Sequence, residues 1–223
     1  MLKKLSVLYE DDRCAVFNKP AGLAVQGGKG VGLSLDTLLA REWAGKPFLV
    51  HRLDQDTSGI ILVAKSREAA RYYASVMAER RARKSYLALC AGRPRSDAGT
   101  IDGDLVIRGV RKQSRTGYRL LAAEGDFSLL ALELDTGRTH QIRRHLASLG
   151  LPVLGDGKYG DFALNKRLKK EQGLNRLLLH AAYLGIAGNR EYRSLDLEAP
   201  LPDYFKTFLA RVIDNRSAFF HDE

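Results

Sequence analysis

Apolar residues recur along this chain at two spacings. Residues 5–18 hold two short apolar runs, Ser6–Tyr9 and Cys14–Asn18, joined by the acidic turn Glu10–Arg13, and these read as paired strands. Leu35, Leu38, Leu39 and Trp43 then repeat at helical spacing, with Ser34 as a cap and Gly45 as a stop. Pro47–Val50 and Ile60–Ala64 are short, apolar and partly β-branched, so they predict buried strands flanking a polar loop. The pattern predicts a helix over Ser66–Lys84, with Ala69, Tyr73, Val76 and Met77 on one face, and then a strand at Tyr86–Ala91. Arg93–Ser128 is polar and carries hairpin signals at Asp102-Gly103 and Thr116-Gly117, with strands at Tyr118–Ala123 and Phe127–Leu134. Thr139–Leu149 predicts a helix that Gly150 ends. Its Ile142, His145, Leu146 and Leu149 face the core, while His140, Arg143 and Arg144 face away. Gly155–Gly160 and Leu164–Asn175 read as basic loop. Leu177–Ile186 and Tyr192–Leu197 read as strands, and Pro202 opens a last helix with Phe205, Phe208, Leu209 and Val212 inward. Strands outnumber helices and are joined by hairpin-length turns, which predicts an α+β domain with a largely antiparallel sheet. Residues 1–214 read as one domain and 215–223 as a frayed tail.

At 223 residues the chain can bury a sizeable core. No apolar run approaches the length of a membrane span. Lys3-Lys4 is followed by Glu10-Asp11-Asp12 rather than an apolar stretch, so no export signal is expected. Cys14 and Cys90 lie in strand-like runs without metal-ligand spacing, as buried thiols of a cytoplasmic protein do. Thirty-six Lys and Arg against 26 Asp and Glu give a net charge of +10, which favours an anionic partner such as nucleic acid over simple solubility only if the charges cluster. They do, at Arg80, Arg81, Arg83 and Lys84, at Arg108, Arg111, Lys112 and Arg115, and at Lys166, Arg167, Lys169 and Lys170. A helix dipole accounts for cations at a helix end, but four within five positions exceed what it needs.

The chemistry concentrates in His51–Gly59, which packs a cation, two carboxylates, two hydroxyls and a glycine between buried strands, with Leu53 as its one apolar anchor. A solvated turn is the ordinary reading of such a loop. The glycine-rich Gln26–Gly32 lacks the Gly-Lys-Ser/Thr ending of a nucleotide-binding loop. His140 and His145, five apart, fall on different helix faces, so no metal site is expected. His51 and His180, beside strands, have the setting of packing histidines. Asp56-Thr57-Ser58-Gly59 with Asp135-Thr136-Gly137 resembles an aspartic protease pair, but Arg138 would keep both acids ionised where that chemistry needs a shared proton. A glycosidase pair of Asp54 with Asp56 or Glu133 has no fixed separation and no sugar-stacking aromatic cluster beside it. There remain a loop aspartate beside an arginine, a tyrosine opening a strand, and an arginine on a basic helix.

These residues carry a family resemblance. His51-Arg52-Leu53-Asp54-Gln55-Asp56-Thr57-Ser58-Gly59 resembles the catalytic motif of the RluA-type RNA pseudouridine synthases. Lys19-Pro20-Ala21-Gly22 is similar to that family's first motif, Lys84–Leu89 to its tyrosine motif, Gly137–Arg143 to its third, and Leu179-His180-Ala181 to a later one. The strings keep the family's order over roughly residues 5–200. The resemblance implies a mixed, mainly antiparallel sheet crossed by a catalytic cleft, isomerisation of uridine to pseudouridine in RNA, and neither cofactor nor metal. It implies Asp54 as catalytic aspartate, Tyr86 as active-site tyrosine, Arg143 as the arginine that holds Asp54 charged, and Arg52 as the side chain filling the space left by the flipped uridine. Around that site, His51, Arg138, Thr139, His140 and Gln141, with Arg80, Arg81 and Arg83, are the expected RNA-binding residues. Arg138 and the helix N-terminus behind it suit a phosphate. No S4-type RNA-binding domain is expected before the catalytic portion, and the enzyme is expected to act as a monomer. Leu23–Gly30 and Gly173–His180 look most like the branch acting on large-subunit ribosomal RNA. Transfer RNA is the alternative substrate, and a non-catalytic RNA-binding or ribosome-assembly module is the reading from another class.

Overall fold

The computed structural model describes residues 5–28, 32–43, 45–107 and 109–213. Arg108 of the second basic cluster, Lys29 and Gly30 of the Leu23–Gly30 string, and the expected tail 215–223 lie outside them. Ten strands and five helices follow one another among the described residues: β1 Ser6–Glu10, β2 Cys14–Lys19, α1 Leu35–Glu42, β3 Phe48–Leu49, β4 Ser58–Ala64, α2 Arg67–Ala78, β5 Ala82–Ala91, β6 Ala98–Ile107, β7 Val110–Glu124, β8 Phe127–Leu134, α3 Gln141–Ser148, α4 Phe162–Gln172, β9 Leu179–Ile186, β10 Leu195–Glu198 and α5 Asp203–Val212. The fold is α+β and its sheet pairing largely antiparallel, as the pattern predicts. The chain divides into two compact units, Met1–Ser85 with Ala181–Pro200, and Tyr86–His180 with Leu201–Glu223.

In the first unit β1, β2, β4 and β9 follow in that order, with β3 paired to β4 and β10 to β9. The β1–β2, β2–β4, β3–β4 and β9–β10 pairings are all antiparallel. Every residue of β4 is buried, which explains why its sequence is a continuous apolar run rather than an alternation. Val16, Leu62 and Leu184 meet Tyr73 and Val76 of α2 in the core. Each such side chain contributes about 1.5–3 kcal/mol on burial. Gly59, which closes the polar His51–Gly59 stretch, has φ 109°, and a Cβ there would lie 2.1 Å from the Ala181 carbonyl oxygen. Only glycine permits that approach.

In the second unit β5, β8, β7 and β6 follow in that order, with antiparallel β6–β7 and β7–β8 pairings. Phe205, Phe208, Leu209 and Val212 of α5 pack with Leu89, Leu129 and Leu178, as the final apolar pattern requires.

Several predicted boundaries move. Helix α2 ends at Ala78, so Arg83 and Lys84 stand on β5 rather than on a helix end. Arg80 stops the helix in the left-handed conformation (φ 59°), and Arg81 N–H donates back to the Val76 carbonyl at 3.0 Å. This is a glycine-type helix stop built without glycine. Asp102-Gly103 and Thr116-Gly117 are not turns. They lie inside paired strands, Asp102 opposite Arg115 and Thr116 opposite Ile101, and the connection falls beside Gly109 (φ 80°). Leu164–Asn175 is mostly helix, because Asp161 caps α4 by accepting from Leu164 N–H at 2.9 Å and Gly173 ends it in the left-handed region. The helix at Arg143 begins at Gln141, and Leu149, expected inside, is 46% exposed just past its end. Trp43, not Gly45, follows the last turn of α1, and Ser34 makes no side-chain cap there.

Candidate active site

Residues 50–57 link β3 to β4. Leu53 is buried as its anchor, Asp54 is partly exposed, and Arg52, Gln55 and Asp56 are exposed. A turn is closed by Thr57 N–H donating to the Asp54 carbonyl at 3.2 Å. The loop is fastened to the Lys19–Leu23 segment by its backbone. Gly22 N–H donates to the Gln55 carbonyl at 2.9 Å, and Gln55 Nε2 donates to the Gly22 carbonyl at 3.3 Å. Lys19, fully buried at the end of β2, donates from Nζ to the carbonyls of Pro20 (3.0 Å), Leu23 (2.8 Å) and Gln55 (3.0 Å). Burial pushes the Lys19 ammonium down to about 8, against the opposing pull of the Asp56 and Asp54 carboxylates. Sequence reasoning met Lys19 only inside a family motif. Its signal was a lysine at the end of an otherwise apolar strand.

His51 accepts a hydrogen bond from Leu62 N–H on its Nε2 at 2.9 Å. Burial of the ring and the nearby Lys84 ammonium push its imidazole down to about 4, so it is neutral near pH 7. Arg80, Arg81 and Arg83 are all exposed. Arg81 pairs with Glu79 at 2.8 Å, and Arg83 Nη2 donates to the Tyr183 hydroxyl at 2.9 Å.

In the second unit Tyr86 is nearly buried on β5. Arg143, on α3, is also buried, at 7% exposure, although the helical pattern turned it away from the core. Asp156 makes this tolerable. It accepts from Arg143 Nε at 2.7 Å and from Nη2 at 2.8 Å, a bidentate pair. Burial alone would raise the Asp156 carboxyl. The hydrogen bonds from Arg143 and from the N–H groups of Tyr159 and Lys158 outweigh it and hold the group below the usual carboxylate range. Asp156 was hidden in a stretch read as basic loop. The glycine before it is the one legible signal: Gly155 has φ 75°, and a Cβ there would meet the Arg176 carbonyl oxygen at 2.0 Å.

The start of α3 is set by Gln141, which is buried with both ends of its amide engaged. Its Oε1 accepts from Thr136 Oγ1 (2.7 Å) and Arg138 N–H (3.0 Å), and its Nε2 donates to the Arg115 carbonyl (2.9 Å) and Thr116 Oγ1 (3.0 Å). His145 bridges Thr116 and Ser114 at 2.9 and 3.2 Å. These polar groups replace the apolar alternation that would have announced β7. Arg138 and Thr139 are exposed, and His140, in the left-handed conformation (φ 54°), places Nδ1 3.0 Å from the Tyr159 hydroxyl.

The sequence profile of the RNA pseudouridylate synthase family matches residues 13–148. The chain belongs to this family. An RNA pseudouridine synthase of Chloroflexus aurantiacus is 41% identical over 218 residues, covering 90% of this chain and 67% of the relative. The ribosomal large subunit pseudouridine synthase C of Haemophilus ducreyi is 37% identical over 220 residues, covering 92% and 68%. The structure of human RNA pseudouridylate synthase domain containing 4 superposes with a TM-score of 0.80 at 29% identity, covering 93% of this chain and 92% of that one. The protein is thus an RNA pseudouridine synthase, an isomerase. No helix among the described residues is long and apolar enough to cross a membrane.

Proposed function

We propose that this enzyme converts uridine to pseudouridine in large-subunit ribosomal RNA, in the cytoplasm and as a monomer. The reaction breaks the C1′–N1 glycosidic bond, turns the uracil and joins C1′ to C5. The proton leaves C5 and N1 gains one, so nothing is added or lost overall. Asp54 supplies the ionised carboxylate, Arg143 keeps that carboxylate charged, and Tyr86 stacks on the base and assists the proton transfer from C5. Arg52, exposed on its loop, fills the gap that the flipped uridine leaves, which offsets part of the unstacking cost of a few kcal/mol. Arg80, Arg81, Arg83, Arg138 and Thr139, all exposed, are the phosphate grip.

The observation that carries this reading is that Asp54, Tyr86 and Arg143 all fall within the span that matches the family. The ribosomal substrate is supported by relatives named for the large subunit. Pseudouridine mapping of ribosomal and transfer RNA from cells with and without the gene tests it. The expected result is loss of one or more sites in large-subunit ribosomal RNA. Loss confined to transfer RNA would overturn the substrate, and no loss in any RNA would overturn the activity.

A further inference from the structure

Asp156 does more than neutralise a buried cation. Four donors converge on its carboxylate: Arg143 Nε on Oδ2, and Arg143 Nη2, Lys158 N–H and Tyr159 N–H on Oδ1. The loop beneath it is fixed as well. Asn165 on α4 accepts from Gly155 N–H at 2.9 Å and donates to the Asp156 carbonyl at 3.1 Å. A guanidinium can meet a carboxylate along a side-on edge, Nε with Nη2, or an end-on edge, Nη1 with Nη2. Asp156 takes the side-on edge, so the end-on edge faces another way. Arg143 Cζ sits over the Tyr159 ring, 5.3 Å from its centroid, and the Tyr159 hydroxyl is fastened to His140. With one edge held and an aromatic ring beside the guanidinium, a long side chain of many rotamers is reduced to a single direction.

We infer that Asp156 is a positioning residue of the synthase site, aiming the end-on edge of Arg143 at the anion it serves in the reaction, with Tyr159 as the second support. The inference rests on the role proposed above for Arg143. Asp156 acts only through that guanidinium. Stability alone does not explain the choice of an ion pair here, since such a pair is often no more stabilising than well-packed apolar side chains of the same volume. What it supplies is direction.

The test is steady-state turnover of RNA carrying 5-tritiated uridine. Asp156→Asn keeps the shape and the turn acceptor but presents an amide N–H to a guanidinium that needs an acceptor, so Arg143 must rotate. The expected kcat is lower by about 100-fold, as for a misplacement near 1 Å. KM for RNA should stay within about threefold, because the lost interaction belongs to the transition state. The acidic limb of the kcat–pH profile should move upward, and Asp156→Glu should restore part of kcat. In an Arg143→Ala background Asp156→Asn should add almost nothing. A structural role predicts instead that activity follows the folded fraction, with the pH limb unmoved and the two losses additive. If Asp156→Asn does not fold, Asp156→Glu, which keeps the charge pair but shifts it by one methylene, carries the test alone. Wild-type kcat in a folded Asn or Glu variant, with Arg143→Ala inactive, overturns the inference and leaves the synthase reading in place. An active Arg143→Ala overturns that reading itself.

Discussion

Two regions of the molecule carry the expected catalytic residues, and they are held by opposite means. Around Asp54 the protein grips backbone: the Lys19 ammonium collects three carbonyl oxygens, one of them on the residue after the aspartate. Around Arg143 it grips the tip of a side chain, through Asp156 and the Tyr159 ring. The difference follows from side-chain length. An aspartate has two rotatable bonds, so placing its backbone nearly places its carboxylate. An arginine loses far more rotamer freedom on ordering and has to be held at its far end.

The sharpest break of this comparison is Asp54→Asn. Turnover should fall at least about 1,000-fold, the scale of losing a group that acts in the bond-making step. Melting temperature and RNA affinity should be nearly unchanged, because asparagine keeps the size of the side chain and leaves in place the bonds from Lys19, Gly22 and Gln55 that fasten the loop. Tritium release and thermal denaturation measure the two, and wild-type turnover would remove Asp54 from the chemistry. Arg143→Lys comes next. Lysine keeps the charge but not the fork, and kcat should drop by about 100-fold with the acidic limb of the pH–rate profile moving upward. Normal activity with an unmoved limb would show that tip geometry is irrelevant.

Lys19→Met tests the other mode. It leaves three carbonyls without their ammonium and should cost about 3 kcal/mol in urea unfolding. Turnover per folded molecule should fall too, because the aspartate loop loosens. If it does not, Lys19 is scaffold alone. His51 gives the pH dependence of the same region. Its folded value, about 4, lies below the ordinary 6.5, so the unfolded chain binds more protons between those limits. Its contribution is complete above pH 6.5 and is lost as pH falls toward 4, by roughly 1–3 kcal/mol. His51→Gln, still able to accept from Leu62 N–H, should flatten that slope in acid titrations followed by circular dichroism. Smallest of all is Arg80→Gly, which should raise stability by about 1 kcal/mol by relieving a left-handed arginine. If Arg80 also touches a phosphate, the salt dependence of RNA binding should lose up to about one unit of slope.

The same contrast explains what the sequence made legible. The aspartate loop is local: strand, polar stretch and strand are contiguous, and Leu53 and Gly59 announce its anchor and its close packing. The support of Arg143 comes from thirteen residues away in chain order and from a carboxylate in a stretch dominated by lysines. A helical wheel sorted Arg143 outward because it weighs a residue by its own polarity and cannot see the acid that neutralises it. The β6–β7 hairpin was misplaced for a related reason. Ser114 and Thr116 are buried polar residues satisfied by His145 and Gln141, so the alternation that marks a strand was absent, and Asp-Gly and Thr-Gly pairs within the strands looked like turns. Helix α4 buries only Leu168 fully and so shows almost no apolar stripe, although Asp161 and Gly173 mark both of its ends. Arg80 hid the end of α2 because a stop signal is sought at glycine.

The order in which the ribosome makes this chain has a cost written into the first unit. Residues up to Ser85 leave the ribosome with β4 already able to pair with β2, but β9 and β10 belong to the same unit and come only with Ala181–Pro200. At ~5–20 residues per second that interval is on the order of 10 s. Throughout it the Gly59 side of β4, shaped to lie against Ala181, has no native strand to receive it. An apolar strand edge waiting that long is a template for wrong partners. The β4 edge is therefore where the nascent chain is most open to mispairing.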